Sequence, residues 1–126
     1  MENGGRIILT SSVIVPKGPP DHMIYAASKG AVEVLTRNFA VELGPRGITV
    51  NAIAPGATAT DMSVANAESY HDPKAGMTPQ EQWISATPLG RLGRPEDIAN
   101  AIAFLTSEEG GWITGQIISV SGGFKF

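Results

Sequence analysis

No cysteine occurs among the 126 residues, which excludes a disulfide framework, a thiolate metal site and a thiol nucleophile. Charge is sparse too. Charged residues make up 17% of the chain against 42% hydrophobic, a balance that folds around a core rather than staying disordered. The formal net charge is -3 and no basic cluster is present, so the sequence offers no surface for nucleic acid. Long apolar runs are also missing. Stretches such as Ile7-Ile8-Leu9 are far too short to span a bilayer, and no membrane partner is expected. The opening residues Met1 to Gly5 lack the charged-then-apolar pattern of a secretory signal. No repeat, linker or low-complexity segment is visible. A soluble, cytoplasmic protein of one domain is expected, because this length suffices for one core and not for two.

What is there alternates between strand and helix. Arg6-Ile7-Ile8-Leu9-Thr10 is short, apolar and partly β-branched, entered from a glycine pair and followed by Ser11 and Ser12. It reads as a strand buried on both faces. A loop with Pro16, Gly18, Pro19 and Pro20 follows, and Asp21 is the expected cap of a helix from about Met23 to about Leu43. Val32, Leu35, Phe39 and Leu43 recur at helical spacing and predict its core-facing stripe. Gly44-Pro45 stops the helix and Gly47 supplies a turn. Ile48 to Ala54 is a second strand, broken by Pro55-Gly56, so a β-α-β crossover with parallel strands is expected. Residues 57–87 lose the apolar pattern, apart from a short helix signalled by Thr78-Pro79-Gln80-Glu81. A segment this long beyond a strand's carboxyl end reads as a lid or binding loop. Pro95, Glu96 and Asp97 then open a helix with a buried stripe of Ile98, Ala101, Ile102 and Leu105. Gly110-Gly111 ends that helix, and Gln116 to Val120 forms a third strand. The fold class is α/β: a three-stranded parallel sheet with flanking helices and a lid at about 57–87.

One stretch carries chemistry. Tyr25 and Lys29 stand four residues apart, which on a helix puts them on one face, a turn apart. An ammonium beside a phenol favours phenolate. Tyrosine titrates near ~10, and lowering it by three units needs roughly 4 kcal/mol, within reach of a close pair in a partly dry cleft. The same spacing also arises by chance in many helices, where it means a surface tyrosine lying along a lysine stem.

The company of that pair separates the two meanings. Gly5-Arg-Ile-Ile8 precedes a serine pair; Tyr25-Ala-Ala-Ser-Lys29-Gly-Ala follows; then come Arg46-Gly-Ile-Thr-Val-Asn51-Ala-Ile-Ala-Pro55-Gly56 and Thr60-Asp-Met62. Pro88-Leu-Gly-Arg-Leu-Gly-Arg-Pro-Glu-Asp97, Ile113-Thr-Gly115 and Val120-Ser-Gly-Gly123 close the series. In this order and spacing, the chain resembles the C-terminal half of a classical short-chain dehydrogenase/reductase, of the compact kind that includes 3-oxoacyl-carrier-protein reductases and fungal polyhydroxynaphthalene reductases. The resemblance implies a partial NAD(P)-binding, Rossmann-like domain over residues 1–126, the second half of a doubly wound parallel sheet. The family's first half, with its glycine-rich pyrophosphate turn, its ribose-reading residue, its Asn-Asn-Ala-Gly stretch and its catalytic asparagine, has no counterpart in this sequence. Met1 is therefore expected to be internal to a longer protein or the start of a truncated product.

The resemblance carries over roles. It makes Tyr25 the general acid/base, and Lys29 the residue that lowers its pKa and holds the nicotinamide ribose. The family's serine lies thirteen residues before its tyrosine, which selects Ser12 over Ser11 to orient the substrate oxygen. Pro55 and Gly56 would let backbone approach the nicotinamide. The family's threonine five residues after that proline contacts carboxamide or phosphate; here it is Thr60, with Thr58 as competitor, and either is also placed to cap a lid helix. NADP(H) is favoured over NAD(H) through the reductases most resembled. Asn51 has the character of a structural amide that ties backbone between elements. Glu68, His71 and Asp72 superficially suggest a metal site, but with no second histidine nearby a solvated lid face is expected and no metal. Trp83 has two readings, a pocket wall or a lid anchor, whereas Trp112 is expected at a helix end or subunit contact. In the family the tyrosine-bearing helix and the last helix-strand unit form dimer or tetramer interfaces, so a homo-oligomer is expected. The function implied is NAD(P)-dependent interconversion of a small-molecule carbonyl and its alcohol. The rival is a non-catalytic chain that keeps the motif, cannot hold the dinucleotide and serves at most as an interaction partner of full-length homologues.

Overall fold

The most continuous apolar run of the sequence becomes the middle of the sheet. In the computed structural model, which describes residues 3–18, 20–65 and 76–124, β2 (Thr49–Pro55) lies between β1 (Arg6–Thr10) and β3 (Ile117–Val120). All pairings are parallel, running from Arg6 opposite Thr49 to Thr10 opposite Ile53, and from Ala52 opposite Ile117 to Pro55 opposite Val120. Thr49 to Ala54 are all buried. A strand flanked by two others and covered by helices has no solvent face, which is why no polar alternation shows in its sequence. Burial of a side chain such as Ile48, Val50 or Ile53 contributes roughly 1.5–3 kcal/mol each. The second and third strands begin one residue later than expected, a shift within ordinary end-fraying.

Helix α1 (Met23–Leu43) makes the crossover from β1 to β2, with the bounds read from sequence. A single 3-10 turn over Gly44–Arg46 follows, and Gly47 at φ 68 takes the left-handed conformation that releases the chain into β2. Its start differs from expectation. Asp21 does not cap the helix: it sits at φ 62, and His22 holds the cap position. A capping side chain needs extended backbone at the residue next to the first turn. Asp21 is one residue too early and left-handed. The imidazole Nδ1 of His22 instead lies within hydrogen-bond distance of the Pro20 carbonyl, at 2.8 Å.

The stripe of α1 is corrected as well. Thr36 and Ala40 are its buried residues, and Ala40 packs with Ile48, Val50, Ile7 and Leu43. Leu35 and Phe39 are 47% and 37% exposed. The covered line runs through Ala40, where a small side chain admits β2, and through Thr36, whose hydroxyl donates to the Val32 carbonyl at 2.7 Å and so buries without a stranded polar atom. Apolar periodicity therefore placed Leu35 and Phe39 one strip away from the face that packs.

Helices α2 (Asp61–Ala65) and α3 (Pro79–Ala86) stand within the segment after β2. The Thr78 hydroxyl accepts from the Glu81 N–H at 3.3 Å while the Glu81 carboxylate accepts from the Thr78 N–H at 2.8 Å. That reciprocal cap is the reason the Thr-Pro-Gln-Glu signal was readable. Helix α4 (Pro95–Thr106) packs on all three strands and buries Leu105. It stops before the Gly110-Gly111 pair expected to end it, because Ser107 already takes extended backbone and its N–H turns to the Phe104 carbonyl. The segment is rooted by a bridge between Thr58 and Gly93, with Ala59 N–H on the Gly93 carbonyl and Gly93 N–H on the Ala57 carbonyl, both 2.9 Å. Among the described residues no helix is long and apolar enough to cross a membrane.

Candidate active site

Beyond the regular strands the chain stays stitched at the carboxyl end of the sheet. Ser11 N–H donates to the Ile53 carbonyl at 2.7 Å, Val13 N–H to the Pro55 carbonyl at 3.3 Å, and Gly56 N–H to the Val120 carbonyl at 3.0 Å. Ser12, Pro55-Gly56 and Ser121 thus leave three neighbouring strands at one edge, the edge where open parallel sheets bind their ligands.

The two serines after β1 part company. Ser11 is 2% exposed and its hydroxyl donates to Glu33 Oε1 at 2.8 Å. Ser12 is partly buried, and its hydroxyl accepts from Ile14 N–H at 3.3 Å, which leaves its proton for another acceptor. Lys29 reaches back from α1 to the end of β1, where its ammonium donates to the Thr10 carbonyl at 3.0 Å. The same ammonium lies 5.7 Å from the centroid of the Tyr25 ring, within the range of a cation–π contact. Tyr25 itself is 40% exposed. The structure therefore brings Tyr25 and Lys29 together and ties Lys29 to the strand end two residues before Ser12.

Gly56 is constrained by packing more than by flexibility. A Cβ on it would fall 2.8 Å from Ser121 Cβ and 2.9 Å from Ser121 Cα. The Thr58 hydroxyl donates to the Gly56 carbonyl at 3.0 Å, which stiffens the turn out of β2. Thr60 starts α2: its hydroxyl accepts from Ser63 N–H at 3.3 Å and its N–H donates to Ser63 Oγ at 3.1 Å. Each threonine thus has a local partner. Asn51 matches its expected structural role. It has no exposed surface, its amide donates to the Ile113 carbonyl at 2.7 Å, and its carbonyl accepts from Gln116 N–H at 3.0 Å.

Two charged residues with contacts of their own escaped the sequence reading. Glu33 is one; its signal is a carboxylate one helical turn after Lys29 amid Ala31, Val32, Val34 and Leu35. Lys17 is the other, in the loop between Ser12 and Tyr25. Its ammonium stands 3.5 Å from the Phe124 ring centroid, and burial pushes its pKa below the ordinary lysine value. No periodicity announces a contact between residues so far apart in sequence. Trp83 is partly buried, and Trp112 is 99% exposed, so in this chain it packs on nothing at the helix end. Glu68, His71 and Asp72 lie outside the described residues.

Parallel strands, a crossover helix bearing Tyr25 and Lys29, and loops leaving the carboxyl edge define a Rossmann-like α/β sheet. The sequence model of the family described as enoyl-(acyl carrier protein) reductase matches residues 1–125. A hydroxynaphthalene reductase-like protein Arp2 of Metarhizium majus is 49% identical over 128 residues, covering 98% of this chain and 48% of that protein. Versicolorin reductase 1 of Aspergillus parasiticus is 43% identical over 129 residues, again across 98% of this chain and 48% of the other. Among solved structures, an angucycline C-6 ketoreductase with bound NADP superposes with a TM-score of 0.80 at 37% identity, over 97% of this chain and 44% of that one. The chain belongs to the short-chain dehydrogenase/reductase family. It spans about half the length of the curated relatives it matches.

Proposed function

We propose that these residues are the catalytic half of an NAD(P)-dependent oxidoreductase that interconverts a small-molecule carbonyl and its alcohol, with NADP(H) as the favoured cofactor. The observation that carries this is Lys29, fixed by the Thr10 carbonyl at the carboxyl end of β1 with the Tyr25 ring beside it. The donor set fits a nicotinamide ribose. An ammonium has three N–H groups and the Thr10 carbonyl takes one of them, so further donors remain for ribose hydroxyls. Pro55, Gly56, Thr58 and Thr60 border the same edge, and the NADP bound to the angucycline ketoreductase supports the cofactor preference.

When bound, the nicotinamide supplies a hydride to the carbonyl carbon. The Tyr25 hydroxyl gives its proton to the carbonyl oxygen, and the Ser12 hydroxyl donates a hydrogen bond to that oxygen as charge develops on it. In the alcohol-to-carbonyl direction Tyr25 takes the proton back. The relatives' names, a hydroxynaphthalene reductase-like protein and an angucycline ketoreductase, make a fused-ring ketone such as a tetralone the first substrate to try.

The test is titration of the purified chain with NADPH and NADH by nicotinamide fluorescence, with turnover of tetralone measured for wild type and Tyr25→Phe. Saturable NADPH binding, with turnover at least ~100-fold lower in Tyr25→Phe, would place the activity in this chain itself. Absence of binding at millimolar cofactor would assign the activity to a longer polypeptide containing these residues and leave this chain as a non-catalytic partner.

A further inference from the structure

We propose that Glu33 is a positioning residue for this site, acting through Ser11; the inference rests on the function proposed above. Two successive residues at the end of β1 are held by two successive turns of α1. Lys29 takes the Thr10 carbonyl at 3.0 Å, and four residues on Glu33 takes the Ser11 hydroxyl at 2.8 Å. Ser12 comes next.

Glu33 is an unusual choice for this place. Its side chain is 15% exposed, and a carboxylate so nearly buried is costly unless hydrogen-bonded. Arg37 stands 3.8 Å away with a side chain 57% exposed, so that pair has only surface strength. What holds the carboxylate is the Ser11 hydroxyl, itself 2% exposed, in a hydrogen bond of 2.8 Å. An apolar residue would fill the site without these costs, as Ala40 does further along the buried line of the same helix.

The consequence falls on Ser12. With the Thr10 carbonyl and the Ser11 side chain both fixed, and Ser11 and Val13 N–H bonded to the Ile53 and Pro55 carbonyls, the backbone on either side of Ser12 has no freedom to turn. Its hydroxyl, which accepts from Ile14 N–H at 3.3 Å, is then carried on fixed backbone, which matters because site groups must stay within about 0.5 Å of their productive geometry.

A merely structural hydrogen bond would lower stability and leave the turnover of folded protein unchanged. The experiment compares Glu33→Ala, Ser11→Ala and Glu33→Gln, reading kcat and KM for tetralone with NADPH, the NADPH dissociation constant, and amide hydrogen exchange at Ser11 and Val13. In Glu33→Ala and Ser11→Ala, kcat is expected to fall ~10- to 100-fold, the effect of a displacement of about an ångström, with the NADPH constant unmoved. Exchange at Ser11 and Val13 should quicken in both. Glu33→Gln keeps an oxygen acceptor for Ser11 and should restore most of kcat. Unchanged kcat alongside a lowered melting temperature overturns the proposal. If Glu33→Ala does not fold, Ser11→Ala carries the same comparison by removing only a hydroxyl. If the wild-type chain has no turnover, the functional reading fails separately, and exchange decides: unaltered rates at Ser11 and Val13 in the variants then overturn the positioning role.

Discussion

At the scale of single residues, side-chain amides and absent side chains do much of the work around the site. Asn51 joins β2 to the Ile113–Gln116 turn through both ends of its amide. Asn51→Ala removes both bonds and leaves the Ile113 carbonyl and the Gln116 N–H, each part-buried, without that partner, which costs about 1–3 kcal/mol and should appear as a lowered urea midpoint. Gly56→Ala drives a methyl into Ser121 from 2.8 Å. Overpacking of that kind costs about 1–3 kcal/mol, and the melting temperature should fall even though no hydrogen bond is lost. The role of Asn51 was legible in the sequence because a polar residue inside an apolar run must find partners. The constraint on Gly56 was legible only as a glycine after a proline, since the residue it touches lies in the last turn of the chain. Ser11 and Ser12 could be separated by spacing to Tyr25. Their different surroundings required the position of Glu33.

Among elements, the stop of α1 and the start of α4 were read better than the face of α1. Gly44-Pro45 and Pro95 mark chemistry that any helix obeys, so α1 ends, and α4 begins, where the sequence says. The packing face of α1 depends on which apolar residues a neighbour covers, and periodicity cannot distinguish Leu35 and Phe39 from the line through Thr36 and Ala40. The start of α4 also makes a pH prediction. The Arg91 guanidinium, hydrogen-bonded at 2.7 Å, and the Arg94 N–H, also at 2.7 Å, hold the Asp97 carboxyl down from 3.8 to about 2. A carboxyl depressed in the folded state contributes stability that is complete above its unfolded pKa and lost as pH falls through its folded one. Asp97 therefore stabilises above about pH 4, and that contribution disappears between 3.8 and about 2. Asp97→Asn should lower the urea midpoint at pH 7 and flatten its decline over this acid window, as midpoints measured at pH 7, 4 and 2.5 would reveal. An equally steep acid decline in the variant would exclude Asp97 as the source.

The whole molecule presents more apolar surface than a solitary domain of this size keeps dry. Met23, Ile24 and Val41 on α1 are 75%, 79% and 81% exposed, and Phe104 on α4 is 50% exposed. The homo-oligomer expected from the sequence would cover such side chains, and sedimentation of the 126-residue chain should then give a species heavier than its 13.2 kDa. A monodisperse monomer at micromolar concentration would refute this. Of the architecture, the parallel β-α-β order was legible because apolar strands and a crossover helix leave strong signatures, although β1, expected to be buried on both faces, is only partly buried because it lies at the edge of the described sheet. The bridge of Thr58 to Gly93 was not, since it joins two stretches with no pattern of their own. That bridge has a consequence for how such a chain can vary. It ties together the two ends of the stretch between Thr58 and Gly93, and once such ends are fixed each doubling of the length between them costs only about 0.6 kcal/mol for a flexible chain. Residues can be gained or lost there at little thermodynamic cost to the sheet, so the part of the molecule that is freest to diverge is hung from a part that is not free at all.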